Sequence, residues 1–159
     1  MSRCVETAEA IAAVWDVRID ERRDLRERAM GEWEGMLFRD LRRKFLDSRT
    51  IDDPFGLEFQ PPGGESILDA SKRVKPLMNE ILEKKSDSVV VSHGGALSVI
   101  LSHLIGLDIA SARSFKFSNA SVTELARNDW NVFVIESYNC LAHMANTKSL
   151  QGSFDGSNR

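Results

Sequence analysis

The sequence predicts an α/β fold, and three observations carry that prediction. Val89-Val90-Val91 is a run of β-branched apolar residues, the pattern of a strand buried on both faces inside a parallel sheet. Ser92-His93-Gly94-Gly95 follows, and Ala96 to Leu104 then reads as a helix, so the run ends in the strand-to-helix turn of a βα unit. Other stretches of helical period, and short alternating runs, are interleaved along the rest of the chain.

In chain order, Val5, Ala8, Ile11, Ala12 and Trp15 recur at helical spacing and make the first fifteen or so residues an amphipathic helix. Val17 and Ile19 alternate with polar residues, as in a short strand. Leu25 to Gly35 is charged, ends in glycine and shows neither period, so it reads as a loop. Leu37, Leu41 and Phe45 restart a helix, with Arg39, Arg42, Arg43 and Lys44 on its other faces. The stretch from Asp52 to Gly64, with Pro54, Gly56, Pro61, Pro62 and Gly63, is irregular.

Ser66 and Asp69 form a capping-box-like start for a helix whose apolar face is Ile67, Ala70, Val74, Leu77 and Ile81. Pro76 lies inside it and should kink or divide it. The helix after Gly95 should end at Gly106. Ser121–Ala126 and Asn131–Glu136 read as an antiparallel hairpin around Arg127-Asn128-Asp129. After Ala145 the chain turns polar and rich in Gly and Ser, so residues 146–159 are expected to be a mobile tail behind one domain over 1–145.

Composition narrows the function. The 159 residues suffice for one domain with a core, and 42% apolar with 28% charged is ordinary for a soluble protein. A net charge of −3 argues against bulk nucleic-acid binding, so an anion site would have to be local. No apolar run reaches the roughly 20 residues that a membrane span needs, and the N-terminus has no signal-peptide core. Cys4 and Cys140 are too few for a disulfide framework or a zinc site. A cytoplasmic protein is expected, and a homo-oligomer is compatible with the sequence.

The candidate site begins at His93. A residue at the carboxyl end of a central strand lies where open α/β sheets bind ligands. A helix N-terminus just after it presents unpaired N–H groups and the positive end of the helix dipole, which suits phosphate. Gly94 and Gly95 let the backbone approach an anion with no Cβ in the way.

Four segments, in order and at compatible spacing, resemble the histidine phosphatase superfamily. Ser2-Arg3-Cys4-Val5-Glu6-Thr7-Ala8 resembles its Ser-Arg-Ala-x-x-Thr-Ala helix start, and Leu25-Arg26-Glu27 through Gly31-Glu32-Trp33-Glu34-Gly35 its acid loop. Pro62-Gly63-Gly64-Glu65-Ser66 resembles the family's approach to the following helix, and Val91-Ser92-His93-Gly94-Gly95 its second histidine motif. The resemblance covers roughly residues 1 to 145. It implies a three-layer α/β/α sandwich with a mixed sheet, phosphoglycerate mutase-like. It also implies phosphomonoester hydrolysis through a phosphohistidine, with a small phosphorylated metabolite as partner and neither metal nor cofactor. Positioned cations and N–H donors carry such a reaction, because the transferring group spreads negative charge over three oxygens. By this resemblance Arg3 clamps the phosphate, and His93 donates to a phosphate oxygen with the Gly94 N–H as helper. Glu27 protonates the leaving alkoxide and later activates water.

The chain departs from the pattern at one point. The family's nucleophile lies in an N-terminal Arg-His-Gly, and the histidines here are His93, His103 and His143. The expectation is therefore that a first strand, the nucleophile and a second phosphate arginine are missing from this chain, through a misplaced start or a degenerate copy. Marginal stability of the chain alone and negligible turnover of a generic phosphomonoester would follow. The alternatives are a mutase-type phosphotransferase and a non-catalytic phosphate-binding remnant. His93 as nucleophile is the less favoured third case. His103 and His143 read as structural, Arg28 as a surface ion-pair partner, Arg42-Arg43-Lys44 as a solvated helix face, and Glu32 and Glu34 as rivals to Glu27. Trp33 fits either the core or a pocket mouth.

Overall fold

The computed structural model describes residues 2–41, 43, 56–84 and 86–145. Helix α1 spans Ser2–Trp15, α2 Phe38–Leu41, α3 Ile67–Glu83 and α4 Gly94–Leu104; strands β1 (Val122–Arg127) and β2 (Phe133–Cys140) form an antiparallel pair. Short 3₁₀ turns cover Arg23–Leu25, Gly31–Trp33, Ile109–Ser114 and Ala142–Met144. Phe45, most of the basic run after Leu41, the start of the proline-rich stretch and residues 146–159 lie outside the described residues.

The core is the seam between α3 and α4. Ala70, Val74, Leu77 and Met78 of α3 pack against Val99 and Ile100 of α4, with Ala112 of the following 3₁₀ turn closing the cluster. These positions repeat at helical spacing in both segments, which is why the two helices bury their stripes against each other. The start of α3 is a full capping box: Ser66 Oγ accepts from the Asp69 N–H at 3.0 Å, and Asp69 Oδ2 accepts from the Ser66 N–H at 3.1 Å. At the end of α4, Leu107 N–H donates to Ser102 O and Gly106 N–H to His103 O, with Gly106 at φ +71°; this Schellman closure favours glycine there.

Two expectations change. Pro76 does not divide α3, which runs unbroken over 17 residues. Pro76 and Lys72, whose carbonyl loses its donor, both lie on the exposed face, where solvent replaces the missing bond. The runs expected as strands, Val17–Ile19 and Val89–Val91, join no ladder among the described residues, and Val89 is 56% exposed. A β-branched run becomes a strand only when a neighbouring strand takes its N–H and C=O groups, and among the described residues no strand pairs with either segment. Trp15, expected on the apolar face of α1, is likewise mostly exposed.

The hairpin forms as expected, with β1 shifted by one residue and β2 starting two residues later and ending four residues later. The Asn128 carboxamide oxygen accepts from Trp130 and Val132 N–H, and Asn131 supplies the left-handed residue of the turn at φ +60°.

Candidate functional site: an imidazole, a guanidinium and a carboxylate at a helix start

The two loop motifs that flank the site are interlocked. Glu32 N–H donates to Pro62 O at 2.9 Å, and Glu65 N–H donates to Ala29 O at 2.8 Å. A Cβ on Gly31, which sits at φ +54°, would lie 2.0 Å from Pro62 O, and one on Gly64 would lie 2.6 Å from Ala29 O. The glycines of both motifs are thus demanded by one backbone-on-backbone contact. Trp33 is buried, with its ring 5.2 Å from that of Phe59, so it belongs to the core.

Glu65 ties the same junction by charge. Its carboxylate takes Arg73 Nε and Nη2, both at 2.9 Å, the Ala29 N–H at 3.2 Å, and the Arg26 guanidinium. Burial pushes this carboxyl up, but the Arg73 and Ala29 hydrogen bonds and the charges of Arg73 and Arg26 outweigh it and hold it below the usual range. Arg73 also donates to the Asp24 and Arg26 carbonyls, and the Ser92 hydroxyl donates to Leu25 O. The acid loop is therefore fixed both to α3 and to the segment leading into α4.

This places Glu27 on the N-terminus of α4. Its Oε1 accepts from the Arg28 N–H at 2.9 Å and the Ala96 N–H at 3.1 Å, and its Oε2 from the Gly95 N–H at 3.3 Å. The anion at this helix start is the chain's own carboxylate, a favourable end for a negative charge. Two of the N–H groups expected to await phosphate are thus engaged; the Gly94 N–H is not one that Glu27 takes. A Cβ on Gly95 would lie 2.5 Å from Glu27 Oε1, so the second glycine makes room for the glutamate. Glu32 and Glu34, the rivals, are exposed.

His93 is the N-cap residue of α4, in extended conformation and 7% exposed. Arg3, from the first turn of α1, brings Nη2 to 2.9 Å from His93 Nδ1. A guanidinium only donates, so Nδ1 accepts and the neutral ring carries its proton on Nε2. Nε2 lies 3.3 Å from Cys4 Sγ, and Cys4 Sγ donates in turn to Ser92 O at 3.4 Å. Burial, together with the Arg3 charge and against the pull of Glu27, lowers the His93 pKa; burial raises that of the Cys4 thiol.

Arg3, Glu27 and the adjacent pair His93–Gly94, from three segments far apart in sequence, are gathered at one end of α4. His103 bonds Ser71 at 2.9 Å across the helix seam, and His143 is exposed on the last 3₁₀ turn. Sequence reasoning missed Cys4 as a neighbour of the imidazole and misjudged Arg28, which makes no ion pair among the described residues. Arg28 instead lines a cavity of about 430 Å³ with Gly94, Gly95, Arg113 and Lys116. Its place directly after Glu27 was the only available signal. No helix among the described residues is long and apolar enough to cross a membrane.

The chain is 30% identical over 125 residues to phosphoserine phosphatase 1 of Hydrogenobacter thermophilus, covering 76% of this chain and 58% of that protein. It is also 30% identical over 122 residues to a glucosyl-3-phosphoglycerate phosphatase of Mycolicibacterium vanbaalenii, covering 69% of this chain and 52% of that one. The chain thus spans about half the length of the curated relatives it matches. Its fold matches a mycobacterial glucosyl-3-phosphoglycerate phosphatase solved with inorganic phosphate (TM-score 0.72, 24% identity, 87% of this chain and 72% of that chain). It also matches the α-ribazole phosphatase of Shigella flexneri (TM-score 0.74, 22% identity, 88% and 70%). The expected α/β architecture is therefore the fold of these phosphatases. The model of the histidine phosphatase superfamily (branch 1) matches residues 1–141, and the chain belongs to that family.

Proposed function

We propose that this chain carries the phosphate-clamping and proton-transfer groups of a phosphomonoesterase acting on a small phosphorylated metabolite in the cytoplasm. The observation that carries the reading is the meeting of Arg3 with His93, 90 residues apart, beside a helix start that already holds the Glu27 carboxylate. Both Arg3 and His93 are nitrogen donors toward an anion once their mutual hydrogen bond opens, and the Gly94 N–H adds a third. None of the three histidines stands in an Arg-His-Gly, so the phosphoryl-accepting imidazole of the family's reaction is assigned to none of them.

Glu27 is the proton carrier in this reading. Its Oε1 is fixed by two backbone donors, whereas Oε2 has the single longer contact to Gly95. Oε2 is thus the oxygen free to turn toward a leaving oxygen or an incoming water. Two relatives named as phosphatases favour hydrolysis, while two others carry phosphoglycerate-mutase names, so hydrolysis is the reading taken here and mutase-type transfer its alternative. The two free thiols, Cys4 and Cys140, suit a reducing compartment.

Orthovanadate, a phosphate mimic, tests the reading by calorimetric titration of the full chain. Binding that falls at least about tenfold in Arg3→Ala and in His93→Ala supports it. No binding, or binding indifferent to both changes, overturns it.

A further inference from the structure

We propose that Cys4 is a positioning residue for His93: it holds the ring proton on Nε2 after Arg3 has turned to a bound oxyanion, so that the imidazole donates to that oxyanion only by taking a second proton, on Nδ1. The proposal rests on the oxyanion reading of the pocket and specifies how the pocket is charged.

Cys4 stands where the motif that this segment resembles has alanine, a side chain with no hydrogen bond to offer. Here Arg3 and Cys4 are neighbours in the first turn of α1 and take opposite nitrogens of one ring. Arg3 Nη2 lies 2.9 Å from Nδ1, and Cys4 Sγ lies 3.3 Å from Nε2. While Arg3 stays on the ring, its donation to Nδ1 is enough to fix the tautomer. An oxyanion that draws the guanidinium away removes that constraint. With no second hold, the neutral ring would carry its proton on Nδ1 and donate to the oxyanion without changing charge.

Cys4 supplies the second hold. A thiol has one proton, and this one is spent: Sγ donates to Ser92 O at 3.4 Å. The sulfur faces Nε2 with lone pairs only, so Nε2 keeps its hydrogen. Burial raises the Cys4 pKa, which keeps the thiol protonated near neutral pH and the run of donors pointing one way. Ser92 is fixed in turn, its hydroxyl donating to Leu25 O. The ring belongs to the residue that caps α4 and is buried, which resists its turning over. A donor on Nδ1 therefore takes one proton from solvent. Among the protein's charges, Glu27 favours that imidazolium, while Arg3 and the chain's amino terminus oppose it. A bound dianion acts in the same sense as Glu27.

Sulfate is the probe, because it stays a dianion near neutral pH and brings no proton of its own. Calorimetric titration of the full chain in buffers of different ionisation enthalpy counts the protons taken up per sulfate bound. The ¹⁵N resonances of the His93 ring, read with and without sulfate, report which nitrogens are protonated. In the unsubstituted chain the expected uptake between pH 7 and 6 approaches about one proton, and affinity falls by up to about tenfold per unit of rising pH. The sulfate-bound ring should be protonated on both nitrogens. Cys4→Ala should take the uptake toward zero and leave the bound ring neutral, with its proton on Nδ1. Cys4→Ser, whose hydroxyl also offers one proton and lone pairs, should keep the proton count and the spectrum of the unsubstituted chain. A packing role alone would shift affinity in these variants without moving the proton count. A neutral sulfate-bound ring in the unsubstituted chain, a result that needs no variant to fold, overturns the proposal. So does an undiminished proton count in Cys4→Ala. If sulfate binds and Arg3→Ala weakens it while either of those results is found, the oxyanion reading stands and the role of Cys4 alone falls. If sulfate does not bind, both fall.

Discussion

Arg3 Nη2 donates to His93 Nδ1 at 2.9 Å, a contact between the first turn of one helix and the residue that caps another. It fixes the imidazole with its proton on Nε2, facing the Cys4 sulfur. It also keeps a cation against a buried ring, which helps lower the His93 pKa.

Removing that cation should be visible at the ring. In Arg3→Ala the His93 pKa should rise toward the ordinary histidine value, as read by NMR titration of the ring resonances. Because Arg3 is exposed, the melting temperature should change little. An unchanged titration would show that the Arg3 charge does not act on the ring.

Sulfate binding should strengthen as pH falls from 7 toward 5. Sulfate stays a dianion throughout, so the change reports the protein. His93 is held neutral by burial, and a bound dianion favours its protonated form. Binding must therefore take up a proton once the pH drops below the usual histidine range, near ~6.5. The slope should vanish in His93→Gln.

Gly95→Ala should displace Glu27 at small cost in stability. The new Cβ would stand 2.5 Å from Oε1, and the far end of the glutamate side chain can swing away. The expected readout is a shift of the Glu27 carboxyl ¹³C resonance toward that of a solvated glutamate, with a loss of about 1 kcal/mol or less. A resonance that does not move would show that the carboxylate is not docked on the helix start.

Glu65→Gln should cost about 3 kcal/mol in chemical denaturation, since Arg73 would be left buried with its partner charge removed. The carboxyl of Glu65 is held below its ordinary range in the fold. The stability it contributes is thus complete above that ordinary range and is lost as pH falls through the lowered folded value. The acid limb of the stability profile should be shallower in the glutamine variant.

Much of this was written locally. The stripe of Ile67, Ala70, Val74 and Leu77, the Ser66–Asp69 box and the Gly106 stop needed only neighbours within a few residues, and each formed as its spacing implied. That Pro76 does not divide α3 depends on which face of α3 meets solvent, and that face is set by α4. Val89-Val90-Val91 was misread because a ladder belongs to two segments at once.

The site divides in the same way. The sequence by itself determined the residue types at each motif and the position of His93 directly before a helix, because those follow from short-range pattern. Tertiary structure alone decided that Glu27 rather than open space meets the Gly95 and Ala96 N–H groups, that Cys4 faces the imidazole, and that Arg28 turns into a cavity instead of pairing at the surface. The reason is distance along the chain. Each of those contacts joins segments dozens of residues apart, and their geometry is fixed only when the acid loop locks onto the start of α3 through Gly31, Gly64 and Glu65.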